Sequence, residues 1–175
     1  MVYREGAKAF LKLLAGSETA TIWAYQRRLR ITEYHKNCNH RICYAISRIL
    51  LNHKKNKYGL QISLNVFGKG LKIMHLGPIL TNGFSKVGED CSIHINTSIV
   101  AQGAGGGVPI LGNDIVIGVG AVLLGEITVA YGIAIGANDV VNKSFEEENI
   151  AIAGVPARKI SNNGTLSWGR ADKNE

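Results

Sequence analysis

Residues 111–146 read LGNDIV IGVGAV LLGEIT VAYGIA IGANDV VNKSFE, which is a run of six groups of six residues. Every group opens with an aliphatic residue, and five of the six groups carry another apolar residue four positions later. The opening residues are Leu111, Ile117, Leu123, Val129, Ile135 and Val141, and the later ones are Ile115, Ala121, Ile127, Ile133 and Phe145. Asp139 occupies this later position in the remaining group.

A period of six fits neither a helix, whose apolar face recurs about every 3.6 residues, nor a flat strand, whose period is about 2. A short fixed period in which no unit buries its apolar face alone is typical of a solenoid, here a hexapeptide β-helix. The second residue of four groups is small and suits a sharp turn between short strands: Gly112, Gly118, Ala130 and Gly136. We therefore predict a mainly β fold built as a β-solenoid.

The same phase continues upstream with two interruptions. Apolar residues six apart open further groups at Phe67, Ile73, Ile79, Val87, Ile93 and Ile99, with the partners Leu71, Cys91 and Thr97. The step from Ile79 to Val87 is eight residues, so we expect a bulge or extended corner near 81–86. Residues 101–109 contain four glycines and cannot pack a core, which predicts a mobile loop leaving the coil.

The first third of the chain is basic and has helical periodicity. Residues 1–60 hold 12 Lys and Arg against 3 Asp and Glu, in a chain whose formal net charge is +7. We predict helices near 3–15, 18–36 and 40–55. Two sets of apolar residues each share one helical face: Ala7, Phe10, Leu11 and Leu14, and Ile42, Ile46, Ile49 and Leu50. Such a segment could bind nucleic acid or an anionic membrane, but solvated charge on packed helices is the preferred interpretation, and we expect no nucleic-acid partner.

Composition also predicts a cellular setting. The sequence contains no apolar run of 18 residues that would span a membrane. Four charged residues interrupt the N-terminal stretch that could have formed a signal-peptide core, which predicts a cytoplasmic protein: Arg4, Glu5, Lys8 and Lys12. Cys38, Cys43 and Cys91 lack the spacing of a disulfide framework or metal site, so we expect reduced thiols and no metal.

We divide the chain into a basic α-helical segment at 1–57, a β-helix domain at 58–160 and a polar tail at 161–175. Residues 150–153 are predicted as the last strand, and the motif GVPAR follows at 154–158.

These features together carry a family resemblance. The hexads, the GVPAR motif, the stretch YGLQI at 58–62 and the stretch GLKIMH at 70–75 resemble the serine O-acetyltransferase branch of the hexapeptide-repeat acyltransferases. The likeness covers about residues 56–160. The short N-terminal part is more similar to compact members associated with bacterial surface polysaccharide synthesis. The resemblance implies a left-handed parallel β-helix, a homotrimer with active sites in clefts between neighbouring coils, and acetyl-CoA as the acyl donor.

An alcohol acceptor needs a base that takes its proton as it attacks the thioester, and a mostly neutral imidazole suits this role. Of five histidines, His35, His40 and His53 lie in the basic helical segment, where a surface or packing role is preferred. His75 and His94 are the third and second residues of their hexads, so both should point outward from stacked coils about 4.8 Å apart. His75 also falls where the resembled family keeps its catalytic base, and we predict it as the general base.

Positions in the coils and the glycine loop suggest acceptor-binding residues, and the resemblance implies donor-binding ones. His94 is the leading candidate for acceptor binding, although an exposed polar residue on a coil surface is an equal alternative. Asn96, Gly105 and Gly106 are further acceptor candidates, since the loop around Gly103–Gly107 is either a lid or simply a flexible tip. The donor's pantetheine arm is expected along the coil edge, and its phosphates near basic side chains. The donor candidates are Gly118, Gly120, Ala121, Ala137, Lys143, Arg158 and Lys159.

Two departures from the family pattern affect the acceptor. Met74 precedes His75 where the family has aspartate, and no acid occurs within 60–72. Val108 precedes Pro109 where the family has a histidine that contacts serine. We therefore expect O-acetylation of a sugar in a bacterial surface polysaccharide or its precursor, with serine O-acetylation in cysteine biosynthesis as the alternative. A non-catalytic trimeric scaffold is the second alternative. The basic N-terminal segment would favour an anionic, lipid-linked or membrane-bound acceptor.

Overall fold

The computed structural model describes residues 15–165. The chain divides into two units, Met1–Leu60 and Gln61–Glu175. The helix predicted near 3–15 lies outside the described residues except for its last position, and most of the predicted polar tail lies outside them too. No helix within 15–165 is long and apolar enough to cross a membrane.

The first unit contains two helices, α1 at Glu18–Asn37 and α2 at Arg41–Tyr58, close to the predicted ranges. Gly16 has φ +74° immediately before Ser17, the N-cap of α1, so the glycine permits the turn into the helix. Helix α2 ends at Tyr58. The next residue, Gly59, has a φ of +72°, the left-handed conformation common after helix C-termini.

Buried polar side chains make hydrogen bonds within the first unit. The hydroxyls of Thr32 and Ser47 lie 2.7 Å apart and are buried, and the Tyr25 hydroxyl donates to the carbonyl oxygen of Leu60 at 2.8 Å. The apolar stripe predicted on the third helix does fall on one face of α2, but in this chain that face is exposed: Ile42, Ile46, Ile49 and Leu50. The buried side chains of α2 are instead Ser47, Leu51 and Lys55, which follow one another at intervals of four.

The second unit is a parallel β-helix. Its strands are β1 Leu60–Gln61, β2 Lys72–Ile73, β3 Ile79–Thr81, β4 Lys86–Val87, β5 Ser92–Ile93, β6 Thr97–Val100, β7 Ile110–Leu111, β8 Val116–Ile117, β9 Val122–Leu124, β10 Thr128–Val129, β11 Ala134–Ile135, β12 Val140–Val141, β13 Ala151–Gly154 and β14 Ala157–Ser161. They form three sheets, ordered β1-β3-β6-β9-β12, β4-β7-β10 and β2-β5-β8-β11-β13-β14. Ile117 lies beside Ile135 in register, so three hexads make one turn of the coil.

The hexad pattern correctly predicts the core. Every opening residue from 111 to 141 is buried, with Ile117, Leu123 and Ile135 completely so. The later position is buried as well, including the polar exception Asp139, which is 3% exposed. Because each coil buries its apolar residues against the next, the parallel strands need only two to four residues each.

Both predicted interruptions are present. A turn at 82–85 separates β3 from β4, where the Asn82 side chain accepts the backbone N–H of Phe84 and the Phe84 ring is 83% exposed. An irregular loop at 101–109 separates β6 from β7. The last strand predicted at 150–153 is β13, but β14 was not predicted. It pairs antiparallel with β13, and its exposed residues 158–160 lack the alternation that marks a half-buried strand.

Candidate functional site

The two coil histidines lie on adjacent coils of the six-stranded sheet. β2 and β5 pair in parallel with Ile73 beside Ile93, and the N–H of Met74 donates to the carbonyl oxygen of Ile93 at 3.0 Å. His94 is therefore beside Met74, one residue along from His75. His75 is exposed and His94 is partly buried. The pairing of Ile73 with Ile93 places the two histidines on neighbouring strands, as the sequence predicts.

The environment favours a neutral His94. Burial lowers the pKa of His94, and the neighbouring His75 lowers it further by charge repulsion. The backbone around His94 is held by two hydrogen bonds, since its N–H donates to Ile117 and its carbonyl accepts the Thr97 hydroxyl at 2.7 Å. His94 is thus a partly buried, mostly uncharged polar neighbour for His75 at neutral pH.

Asn96 lies close to the same coil edge. Its φ is +60°, and its N–H donates to the carbonyl oxygen of Pro78, three residues beyond His75, at 2.6 Å. Gly77 brings this segment against the next coil, because a Cβ there would lie 2.9 Å from a methyl carbon of Ile95. The structure therefore groups His75, His94 and Asn96 along neighbouring coils.

The loop candidates lie towards the following coil. A Cβ at Gly107 would lie 2.3 Å from the Cβ of Glu126, so the end of the loop packs against the turn after β9. Gly105 has φ +82° and open space around it, whereas Gly106 lies against the backbone of Gln102. Val108, just before the buried Pro109, is partly buried.

The register of the six-stranded sheet aligns an outward row that the sequence pattern did not reveal. The residues following Ile73, Ile93, Ile117, Ile135 and Ile152 are neighbours from coil to coil, and the last of them is paired with Arg158 on β14. The row reads Met74, His94, Gly118, Gly136, Ala153 and Arg158. Four strand spacings, about 19 Å, separate His94 from Arg158.

We call Gly118, Gly136 and Ala153 the small-residue track. Gly118 and Gly136 lie so close that a Cβ on Gly118 would be 2.6 Å from the carbonyl oxygen of Gly136. A Cβ on Gly136 would in turn lie 3.3 Å from the Cβ of Ala153. Gly118 is buried, Gly136 and Ala153 are partly buried, and the row that contains them runs from His94 to Arg158. Comparing equivalent positions of successive hexads could have found it, had the register been known.

The remaining donor candidates differ in what they can contact. Gly120, with φ +73°, forms a corner where a Cβ would lie 2.2 Å from the side-chain oxygen of Asn138. Ala121 is completely buried, so its side chain lies in the core, away from any surface ligand. Ala137 is exposed immediately after Gly136 on the track.

The basic candidates are all exposed, but two already have neighbours. The Lys143 ammonium lies 5.4 Å from the centre of the Phe145 ring, and Lys159 forms an ion pair with Glu147. Arg158 is the basic residue placed directly at the end of the track. Within 15–165, no group of three or more His, Cys, Asp or Glu side chains is arranged to hold a metal ion.

Comparison with known proteins identifies relatives of this chain. No family model matches the chain. The serine acetyltransferase of Synechococcus elongatus is 28% identical over 145 residues, which are 81% of this chain and 53% of that protein. The serine acetyltransferase of Helicobacter pylori strain J99 is 31% identical over 121 residues, which are 67% of this chain and 70% of that protein.

Solved structures show the same fold. The Brucella abortus serine acetyltransferase is 25% identical with a TM-score of 0.67, covering 78% of this chain and 55% of its own. A serine acetyltransferase in complex with CoA is 26% identical with a TM-score of 0.65, covering 80% of this chain and 57% of its own. This chain thus spans little more than half the length of the Synechococcus relative and of these structures.

Fold and relatives together define a hexapeptide-repeat acyltransferase with a left-handed parallel β-helix, which confirms the predicted fold class. Within that class, the chain belongs to the serine acetyltransferase family.

Proposed function

We propose that this protein transfers an acetyl group from acetyl-CoA to the hydroxyl of a small acceptor, with His75 as the general base. The acceptor oxygen attacks the thioester carbonyl while an imidazole nitrogen of His75 takes the hydroxyl proton. When the tetrahedral intermediate collapses, the carbon–sulfur bond breaks and the CoA sulfur recovers that proton from His75. The observation that carries this proposal is the outward row in which His94, beside His75, continues into the small-residue track and Arg158.

The donor fits the dimensions and charge of that row. A pantetheine arm is long, narrow and mostly uncharged, so a surface of two glycines and an alanine lets it approach the backbone closely. Arg158 would then meet phosphate oxygens, with which a guanidinium forms charge-assisted hydrogen bonds. Lys143 is a second cation for this purpose, while Lys159 would first have to leave Glu147. The serine acetyltransferase solved with CoA supports this donor.

L-serine is the leading acceptor candidate. The sequence alone favours a polysaccharide sugar, but the relatives favour serine, because the matched proteins are serine acetyltransferases. We therefore place serine first and retain acetyl transfer to a hydroxyl as the common chemistry.

A sugar hydroxyl is the second candidate because of two apolar residues. Val108 is partly buried and cannot bind the carboxylate or amine of an amino acid, and Met74 stands beside His94 in place of an acid. A sugar presents hydroxyls in several directions and does not require an ionic partner. A homotrimer, peripheral contact with a membrane, and cytoplasmic location also remain proposals.

Release of free CoA from acetyl-CoA by the purified full chain tests the function. The acceptor panel contains L-serine, monosaccharides, nucleotide sugars and oligosaccharides, and light scattering on the same sample tests for a trimer. Turnover with serine alone establishes the first candidate, and turnover with a saccharide alone establishes the second. Binding of CoA without turnover of any acceptor would favour the non-catalytic scaffold.

A further inference from the structure

Asp139 is the one carboxylate at an inward position of the regular hexads. The equivalent positions of the other five groups hold Ile115, Ala121, Ile127, Ile133 and Phe145, whereas Asp139 is polar and 3% exposed. An ionised carboxylate is costly to bury unless hydrogen bonds replace its lost hydration. Its position therefore requires a specific partner.

That partner is the turn between the last two strands. One oxygen of Asp139, Oδ1, accepts the backbone N–H of Gly154 at 2.7 Å. Backbone pairing between these two coils continues to Gly136, whose N–H donates to the carbonyl oxygen of Ile152 at 3.0 Å. The side chain of Asp139 thus continues the hydrogen-bond ladder past the end of the strand. Gly154 has φ +112° and begins the connection to β14, the strand that carries Arg158.

The other carboxylate oxygen of Asp139 limits the space at Gly136 in the small-residue track. Oδ2 is buried and has no hydrogen-bond partner among the described residues. It lies 2.7 Å from the place where a Cβ on Gly136 would be. Since the φ of Gly136 is not in the left-handed region, space rather than backbone conformation excludes a side chain there. Asp139 and Gly136 therefore restrict each other.

We infer that Asp139 is a positioning residue for the acyl donor. It holds the Gly154 turn, and through that turn Arg158, at the end of the small-residue track. It also occupies the space that a side chain at position 136 would need. This inference rests on the proposed function, because it assumes that the donor lies on the track. Asp139 itself is buried and acts through the residues it holds.

The test compares Asp139→Ala with Asp139→Asn in the full-length protein. The alanine variant loses the acceptor for the Gly154 N–H, and we expect its KM for acetyl-CoA to rise about tenfold while kcat changes less than about threefold. The asparagine variant keeps a carbonyl oxygen for that N–H, and its KM should stay within about threefold of wild type. Thr81→Ala is the matched control, because it removes another buried side-chain bond, from the N–H of Ser63, in a different sheet.

Two further measurements do not depend on turnover. Hydrogen exchange of a peptide covering residues 151–161 should become faster in Asp139→Ala and remain at the wild-type rate in Thr81→Ala. Gly136→Ala should weaken CoA binding in the wild-type background but have a smaller effect when combined with Asp139→Ala, because the oxygen it would collide with is gone. If Asp139→Ala does not fold, Gly136→Ala in the wild-type background remains the test, and unchanged CoA binding there would contradict a track that Asp139 restricts at Gly136.

The outcomes separate this inference from the function on which it rests. Wild-type protein that binds no CoA by calorimetry would overturn both. Wild-type binding together with an unchanged KM, or unchanged exchange at 151–161, in Asp139→Ala would overturn only the role of Asp139. An equal effect of Gly136→Ala in both backgrounds would also contradict it.

Discussion

The coils at 111–146 and those at 67–100 obey the same period but differ in regularity. The later coils run without an inserted residue, and their outward row is reduced to glycine and alanine on the six-stranded sheet. The turn at 82–85 interrupts the earlier coils, and the loop at 101–109 follows them. The earlier coils also carry both coil histidines. In the proposed function, the regular coils provide the donor surface and the irregular coils determine which acceptor can approach.

The strongest test of this division is His75→Ala in the irregular coils. Loss of a general base should reduce kcat about 10²–10⁴-fold with the acceptor that the wild type uses. Binding of CoA, measured by calorimetry, should be unchanged because the track is intact. His53→Ala, which removes an exposed histidine of α2, serves as the control. Retention of half the wild-type rate by His75→Ala would exclude His75 as the base.

Substitutions in the core of the regular coils should instead lower the free energy of unfolding. Ile117 is completely buried, and Ile117→Ala should lower the free energy of unfolding by about 2–5 kcal/mol through lost burial and the cavity left behind. Ile110 begins β7 just after the loop and is 52% exposed, so Ile110→Ala should cost less than about 0.5 kcal/mol. Urea unfolding followed by circular dichroism measures both. Equal costs would mean that the hexad core does not set the stability of the second unit.

The sequence could predict the parts of the molecule that depend on the period. Inward residues such as Ile117, the eight-residue step before Val87 and the glycine loop are all direct consequences of spacing. The pairing of β14 was missed because it is antiparallel and falls after the repeats end. Predicting the outward row requires the register between coils. The turn at 82–85 and the loop at 101–109 shift that register by numbers of residues that the hexad spacing does not specify.

Two other features escaped sequence reasoning for different reasons. Helical periodicity placed Ile42 and Ile46 on one face of α2, but periodicity does not say which face the neighbouring helix covers, and Ser47 faces it instead. Asp139 was visible as an exception to the hexads. Its meaning depends on Gly154, fifteen residues away, and only the three-dimensional structure brings the two together.

A smaller effect is expected at Gly118, the first residue of the small-residue track. Gly118→Ala places a Cβ 2.6 Å from the carbonyl oxygen of Gly136, so backbone must shift, and we expect about 1–3 kcal/mol of destabilisation together with weaker CoA binding. Gly103→Ala meets no atom within 4 Å, although its φ of +71° adds strain of about 1 kcal/mol. Thermal unfolding and calorimetry with CoA check the pair. If Gly118→Ala binds CoA normally, the donor does not lie on the track.

The smallest expected effect concerns His94. Because burial and His75 lower its pKa below the unfolded value of about 6.5, the folded state binds fewer protons than the unfolded state as the pH falls through this range. The stabilisation linked to neutral His94 is therefore present above about pH 6.5 and is lost as the pH falls through the folded pKa. Denaturant midpoints measured between pH 8 and pH 5 should fall less steeply in His94→Gln than in wild type.

His75→Gln separates the two causes of this pH dependence. It removes the charge repulsion but leaves the burial of His94, so the pH slope should lie between those of wild type and His94→Gln. The difference should shrink in high salt, because His94 is only partly buried and its interaction with His75 is screened. A slope in His75→Gln identical to wild type would show that the two imidazoles do not interact.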